Sequence, residues 1–255
     1  MRRFAFIAGL GVVLLVLLAV NTFIANQRPV LSGPAGTVLY AATFDAFTDE
    51  WQQYDGLLAA SINDSVLTLN VRRPQRLAYS LALPNFADFD VSADMQAVSG
   101  PLDNAFGLVF RYFDENNLYT FLISSDGYYR LVRYLDGQEK IISTWVSSPY
   151  IHQGLNAENR VRVVAIGDTF RFFINDQPVQ LCLPDDPNSE STFFLGECEG
   201  GHMADVWVDD SLPVGRIGLA VETQRKEEAV TVIFDNVLVL SPDSAEFSDT
   251  EATNP

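Results

Sequence analysis

FGLVFRYFDENNLYTFLISSDGYYRLVRYLDGQEKII, residues 106–142, holds four apolar or aromatic runs separated by Asp-Glu-Asn-Asn, Ser-Ser-Asp-Gly and Leu-Asp-Gly. Asp-Gly between runs rich in Val, Leu, Phe and Tyr is a strong hairpin signal, because Gly accepts the positive φ that a tight hairpin turn needs. The spacing predicts four consecutive antiparallel strands at 106–113, 118–124, 128–134 and 138–144. Strict alternation puts Phe106, Leu108, Phe110 and Tyr112 on one face, and Gly107, Val109, Arg111 and Phe113 on the other. In the third strand Tyr129, Leu131, Arg133 and Leu135 oppose Tyr128, Arg130, Val132 and Tyr134. Neither face is purely polar, which suits a sandwich sheet with one face in the core and the other lining a groove.

Outward from this meander the same signals recur. Runs at 37–44, 65–71, 77–83 and 89–98 precede it, and runs at 159–166, 170–174, 179–183, 215–222 and 230–240 follow. The 89–98 run alternates Phe89, Val91, Ala93, Met95 and Ala97 against Asp90, Ser92, Asp94 and Gln96, a half-buried strand. Residues 184–210 break the regularity. There is no internal repeat and no long amphipathic helix after the N-terminus. About a dozen strands with turn residues between them indicate an all-β antiparallel two-sheet sandwich over 37–241.

The N-terminus reads differently. Arg2 and Arg3 precede an apolar run from 4 to 20 that Thr22, Phe23, Ile24 and Ala25 extend. That length spans a bilayer, and the arginines hold the N-terminus in the cytoplasm. A cleaved signal peptide is the competing reading, but Phe23 and Ala25 make a poor cleavage site. Residues 1–25 are therefore expected to be one transmembrane anchor, 26–36 a linker and 242–255 a disordered acidic tail. The expected location is the cell membrane, single-pass, with the C-terminal domain outside the cytoplasm.

The 255-residue chain carries a formal charge of −17 and has only two lysines, Lys140 and Lys226. Such acidity argues against a nucleic-acid partner, whose phosphates it would repel. The two cysteines, Cys182 and Cys198, have one intramolecular pairing, and export favours it; a Cys182–Cys198 disulfide is expected to close the loop between them.

Four stretches resemble one family. They are LYAATFDAFTDEW (39–51), FGLVFRYFDENNLYTFLIS (106–124), NRVRVVAIGDTFRFFINDQPV (159–179) and GRIGLAVETQRKEEAVTVIFDNVLV (215–239). In that order they resemble the concanavalin A-like lectin/glucanase superfamily, especially its laminin-G-like and keto-disaccharide-hydrolase-like bacterial modules. The resemblance covers 38–240 and implies a jelly roll of two curved sheets, with carbohydrate binding or glycoside cleavage as its activities. It also raises a structural Ca²⁺ near the strand ends, for which Asp45 and Asp235 are the candidates. The matching residues are core positions and turns, so fold analogy leaves the activity open.

Catalysis finds little support in the residues. Glycosidases need two carboxylates flanking a bond, and the E-x-D-x-x-E strand motif of laminarinase-like members is absent. Glu190, Glu197 and Glu199 fall in the irregular segment, and Glu222, Glu227 and Glu228 surround a loop; solvated surface is the simpler reading for all six. His152 and His202 lack zinc-ligand spacing. Binding has better candidates. Sugars present apolar C–H faces to aromatic rings, and charged groups hold their hydroxyls. Trp51, Tyr54, Tyr128, Tyr129, Tyr134, Trp145 and Tyr150 are aromatics outside the obvious core, and Arg111, Arg130 and Arg133 lie on the meander; core packing competes for the same rings. The expected ligand-binding set is Tyr128, Arg130, Tyr134, Arg111 and Trp51, with no catalytic residue. A non-catalytic glycan-binding module at the membrane is the leading expectation. A glycoside hydrolase and a structural or protein-interaction domain are the alternatives.

Overall fold

The computed structural model describes residues 28–46, 48–224 and 229–248. The meander stands as β7 (Ala105–Asp114), β8 (Asn117–Ser124), β9 (Tyr128–Leu135) and β10 (Gln138–Ser147), each paired antiparallel with the next. Its turns are the Asp-Gly pairs. Gly137 and Gly127 have φ of 74° and 97°, values that glycine takes without steric cost, and Asp136, at 50°, is of a type that tolerates the left-handed region. Three further strands extend this sheet beyond β7. They are β19 (Gly215–Glu222), β5 (Leu77–Phe86) and β1 (Val30–Leu31), giving the order β1-β5-β19-β7-β8-β9-β10.

The second sheet runs β13 (Gln177–Val179), β12 (Thr169–Ile174), β11 (Glu158–Ile166), β6 (Phe89–Ser99), β20 (Val230–Leu240), β4 (Val66–Val71) and β3 (Leu58–Asn63). Two short strands attach to it, β18 (Trp207–Val208) on β12 and β2 (Val38–Ala42) on β20. The sheets therefore have seven and nine strands. Only β1, on β5, pairs in parallel among the described strands. The core between the sheets is aromatic: Phe106, Phe110, Phe121, Phe170, Phe172 and Phe234 are all buried. Phe121 and Phe172, one from each sheet, sit 4.7 Å apart between ring centres.

Several expectations change. Residues 26–36 are not all linker, since Val30–Leu31 pair with β5. β3 was not expected from its LAASIN sequence, whose small and polar residues hide the alternation. Its hairpin with β4 turns at Asp64 and Ser65, both at positive φ. The irregular segment holds two small ladders, β14 (Leu181–Pro184) with β17 (Gly201–Ala204), and β15 (Thr192–Phe194) with β16 (Glu197–Glu199). The Cys182–Cys198 disulfide ties them together, with Cα atoms 5.5 Å apart. Cys182 itself is in the core, so the bridge anchors this loop to the sandwich. The expected anchor at 1–25 and the end of the expected tail, 249–255, lie outside the described residues. Tail residues Ala245–Ser248 form one helical turn.

The meander's alternation also breaks at one place. Arg111 has φ of 49°, and the register against β19 slips between Val109 and Tyr112. This is a β-bulge, an extra residue that reverses the faces beyond it. Phe110 and Arg111 both turn inward. Tyr112, expected on the core face with Phe110, turns outward instead.

Candidate functional site

The outer faces of the two sheets differ in kind. On the nine-stranded sheet, charges alternate and are paired: Arg160 Nε donates to Asp94 at 2.7 Å and Arg162 Nε to Asp90 at 2.7 Å. That is a solvated face. On the seven-stranded sheet, Leu81, Ala105, Val109, Leu118, Leu122 and Ala220 form a second buried apolar cluster. Tyr79, Tyr112, Tyr134 and Trp145 pack against it. Alternate residues of β5, β19, β7 and β8 build this cluster, because each strand has its other face in the main core.

A charged pair crosses this aromatic face. Arg130 on β9 donates from Nη2 to Glu222 Oε1 on β19. Two strands, β7 and β8, lie between them, so their backbones are roughly 14 Å apart. On β7, between them, Ala105 stands opposite Glu222 and Gly107 opposite Leu122. Gly107 admits no side chain, since a Cβ would run into the Phe121 carbonyl. The Arg130 guanidinium also stacks 4.7 Å from the centre of the Trp145 ring. Gln224 Nε2 donates to Glu222 Oε1 at 3.4 Å. Arg130 Nε and Glu222 Oε2 are buried with no hydrogen-bond partner. Tyr134 belongs to the same neighbourhood. Burial raises its phenol pKa above the ordinary range, and the charges of Glu222 and Glu139 add to the rise.

Beside this pair a pocket of about 390 Å³ is lined by Asp103, Ser124, Asp126, Tyr128, Trp145 and Gln224. It falls in the usual size range for small-ligand sites. Tyr128 is 40% exposed, and its ring is available to a ligand. Ser124 Oγ donates to Asp126, which orients that carboxylate. Two aromatic rings, two carboxylates, a hydroxyl and an amide thus converge on one cavity. Such a set can stack on a sugar's apolar face and accept hydrogen bonds from its hydroxyls.

No family model matches the chain, and no curated protein sequence does. Solved structures do match. The carbohydrate-binding module CBM66 from Bacillus subtilis is 18% identical, with a TM-score of 0.52, over 84% of this chain and 100% of that one. A Bacillus subtilis protein with a galectin-like fold is 14% identical, with a TM-score of 0.54, over 82% and 97%. The Bacillus licheniformis β-glucanase is 10% identical, with a TM-score of 0.50, over 82% and 99%. The fold is the concanavalin A-like jelly roll. At these identities the likeness extends to the fold alone.

Within this concanavalin A-like sandwich, three of the five expected ligand residues share the outer face of the seven-stranded sheet. Tyr128 lines the pocket, Arg130 flanks it and Tyr134 packs on the apolar cluster. The other two have structural roles. Arg111, turned in by the bulge, donates to the carbonyls of Leu212 at 2.7 Å and Gly167 at 2.8 Å and lies over the rings of Phe89 and Phe170. Trp51 is in the core, its Nε1 donating to the Tyr40 hydroxyl at 2.9 Å. Tyr129 is also buried, its hydroxyl donating to the Gln180 carbonyl.

Glu222 is not solvated loop surface. It ends β19 and is held by Arg130. Alternation in GRIGLAVE could have found it, since Val221 faces inward and Glu222 must face outward. Asp103, Asp126 and Gln224 come from turns, and nothing in the sequence links them. Asp45 and Asp235 are close enough to interact. Burial raises the Asp235 carboxyl above its usual range, and the charges of Asp45 and Asp94 raise it further. No group of three His, Cys, Asp or Glu side chains is placed to hold a metal among the described residues.

Proposed function

We propose that this chain is a non-catalytic glycan-binding module, and that the ligand sits in the Tyr128–Trp145 pocket against the Arg130–Glu222 pair. The observation that carries the reading is the convergence of Tyr128 and Trp145 with Asp103, Asp126 and Gln224 in one cavity. Carboxylates on the wall favour a neutral sugar, whose hydroxyls donate to them. The fold neighbours include a carbohydrate-binding module, which is consistent with this role. Residues 1–25 hold the module at the membrane with the sandwich outside the cytoplasm; intact mass of the native protein tests this, and a mature chain beginning near Asn26 would refute it. A Ca²⁺ ion at Asp45 and Asp235 belongs to the same proposal. Calcium should then raise the melting temperature of the wild type and not of Asp235→Asn.

Hydrolysis is the second reading, favoured by the two carboxylates Asp103 and Asp126 in that pocket. The deciding experiment is a neutral-glycan array followed by calorimetry and a product assay on each hit. Binding without cleavage is expected, and Trp145→Ala should weaken it about tenfold, a loss of roughly 1.4 kcal/mol. Turnover abolished by Asp103→Asn or Asp126→Asn would establish the hydrolase. Absence of binding to every glycan would leave the structural or protein-interaction role.

A further inference from the structure

The opposite end of the same sheet holds a second cavity with the reverse charge. It has a volume of about 670 Å³ and is lined by Arg28, Asn85, Tyr112, Phe113, Asp114 and Arg216, with Val214 and Gly215. Along β7 it lies roughly 23 Å from the Tyr128–Trp145 pocket. Arg216 is 5% exposed and, like Arg111, is paired with no carboxylate among the described residues; unlike Arg111 it lines a cavity. Its Nε donates to the Ala82 carbonyl at 2.6 Å and its Nη2 to the Leu81 carbonyl at 3.0 Å. Those bonds fix the guanidinium plane, and the residue contributes to the cavity wall. A buried charge held only by neutral carbonyls is costly unless something else compensates it.

The neighbours add to the cost. Burial, and to a lesser degree the like charge of Arg28, together lower the Arg216 pKa to about 10. The guanidinium remains protonated at neutral pH. Two guanidiniums therefore face one cavity in a chain whose net charge is −17. Asp114 also lines the cavity, but its Oδ1 already accepts from the Asn116 amide at 2.9 Å and the Asn117 side chain at 2.8 Å. On the other side stand Tyr112 and Phe113, the latter 72% exposed. The arrangement is a cationic fork beside aromatic surface.

We propose that this cavity binds a carboxylate-bearing sugar, a uronic acid residue, with Arg28 and Arg216 taking the carboxylate and Phe113 and Tyr112 the ring. Arginine forks match planar carboxylates in geometry as well as charge. A bare phosphate would use the same guanidiniums but has no use for the exposed Phe113. The site is separate from the neutral-sugar pocket, and a monosaccharide tests it without any polymer.

The test titrates the full-length chain with glucuronate, glucose, inorganic phosphate and phosphatidylglycerol vesicles. Glucuronate should bind at least tenfold tighter than glucose, and its affinity should fall as salt rises from 0.05 to 0.5 M, roughly as expected for a contact of two charges. Arg28→Gln should weaken glucuronate at least fivefold; this half-buried residue at the sheet edge avoids the folding role of Arg216. Phe113→Ala should weaken it about threefold without changing the salt dependence. Neutral-glycan binding at Trp145 should be unaffected by either variant, which separates failure here from failure of the first site. Equal affinity for glucuronate and glucose, or no effect of Arg28→Gln, overturns the proposal. Preference for phosphate or for vesicles overturns the sugar and assigns the cavity to a phosphate.

Discussion

Glu222→Gln should destabilise the sandwich and remove glycan binding at once, for separable reasons. The substitution keeps the shape and deletes the charge, leaving the Arg130 guanidinium, whose side chain is 9% exposed, against Trp145 alone. Breaking a buried ion pair by removing one partner typically costs about 3–5 kcal/mol. The Glu222 side chain is 16% exposed, so some water reaches it, and the lower end, about 3 kcal/mol, is appropriate. For a domain of this size that lowers the melting temperature by roughly 6–12 °C. Replacing both partners by apolar residues, Arg130→Met with Glu222→Leu, removes the stranded charge and should melt within about 3 °C of the wild type. The double variant should still fail to bind glycan. Thermal unfolding followed by circular dichroism, with urea titrations to check that the slope is unchanged, measures all three proteins. If Glu222→Gln melts with the wild type, or if the double variant is worse than the single, the pair is not a buried, mutually compensating unit and the reasoning fails.

Three other outcomes follow from the same structure. Gly137→Val and Gly127→Val force a β-branched residue into φ of 74° and 97°, at about 1–3 kcal/mol each, and a side chain at Gly127 also runs into Gln153; unchanged melting of both would contradict the turns. Cys198→Ala opens a bridge spanning 16 residues and should cost about 3 kcal/mol in the chain-entropy model; free alkylation of both thiols without reductant would show that the bridge is absent. Asp209 is pushed up by burial, but hydrogen bonds from Tyr119 and Ser211 and the charge of Arg133 more than offset this and hold its carboxyl below the usual range. Its stabilisation is then complete above the unfolded value of about 3.9 and disappears as pH falls through the folded one, so Asp209→Asn should destabilise at pH 7 and progressively less toward pH 2. Equal losses at both pH values would refute the shift.

Alternation and turn chemistry are local properties, and a single sequence carries them fully. The meander, its Asp-Gly turns, the inward Phe106, Leu108 and Phe110, and the all-β class follow from residues within a few positions of one another. The cysteine pair was legible for a different reason, since two thiols have only one partner each. Strand order is not local. β19 lies between β5 and β7, and that adjacency alone brings Glu222 to Arg130 across 92 residues of chain. The same adjacency places the bulge at Arg111, which sends Arg111 into the core and Tyr112 out. A bulge arises from the mismatch of two paired strands, and neither strand records it by itself. Pockets at sheet ends are built from turns and strand ends that approach only after the sheets have packed. Asp103, Asp126, Gln224, Arg28 and Arg216 therefore carry no signal in the sequence, and only the tertiary structure made them two sites of opposite charge.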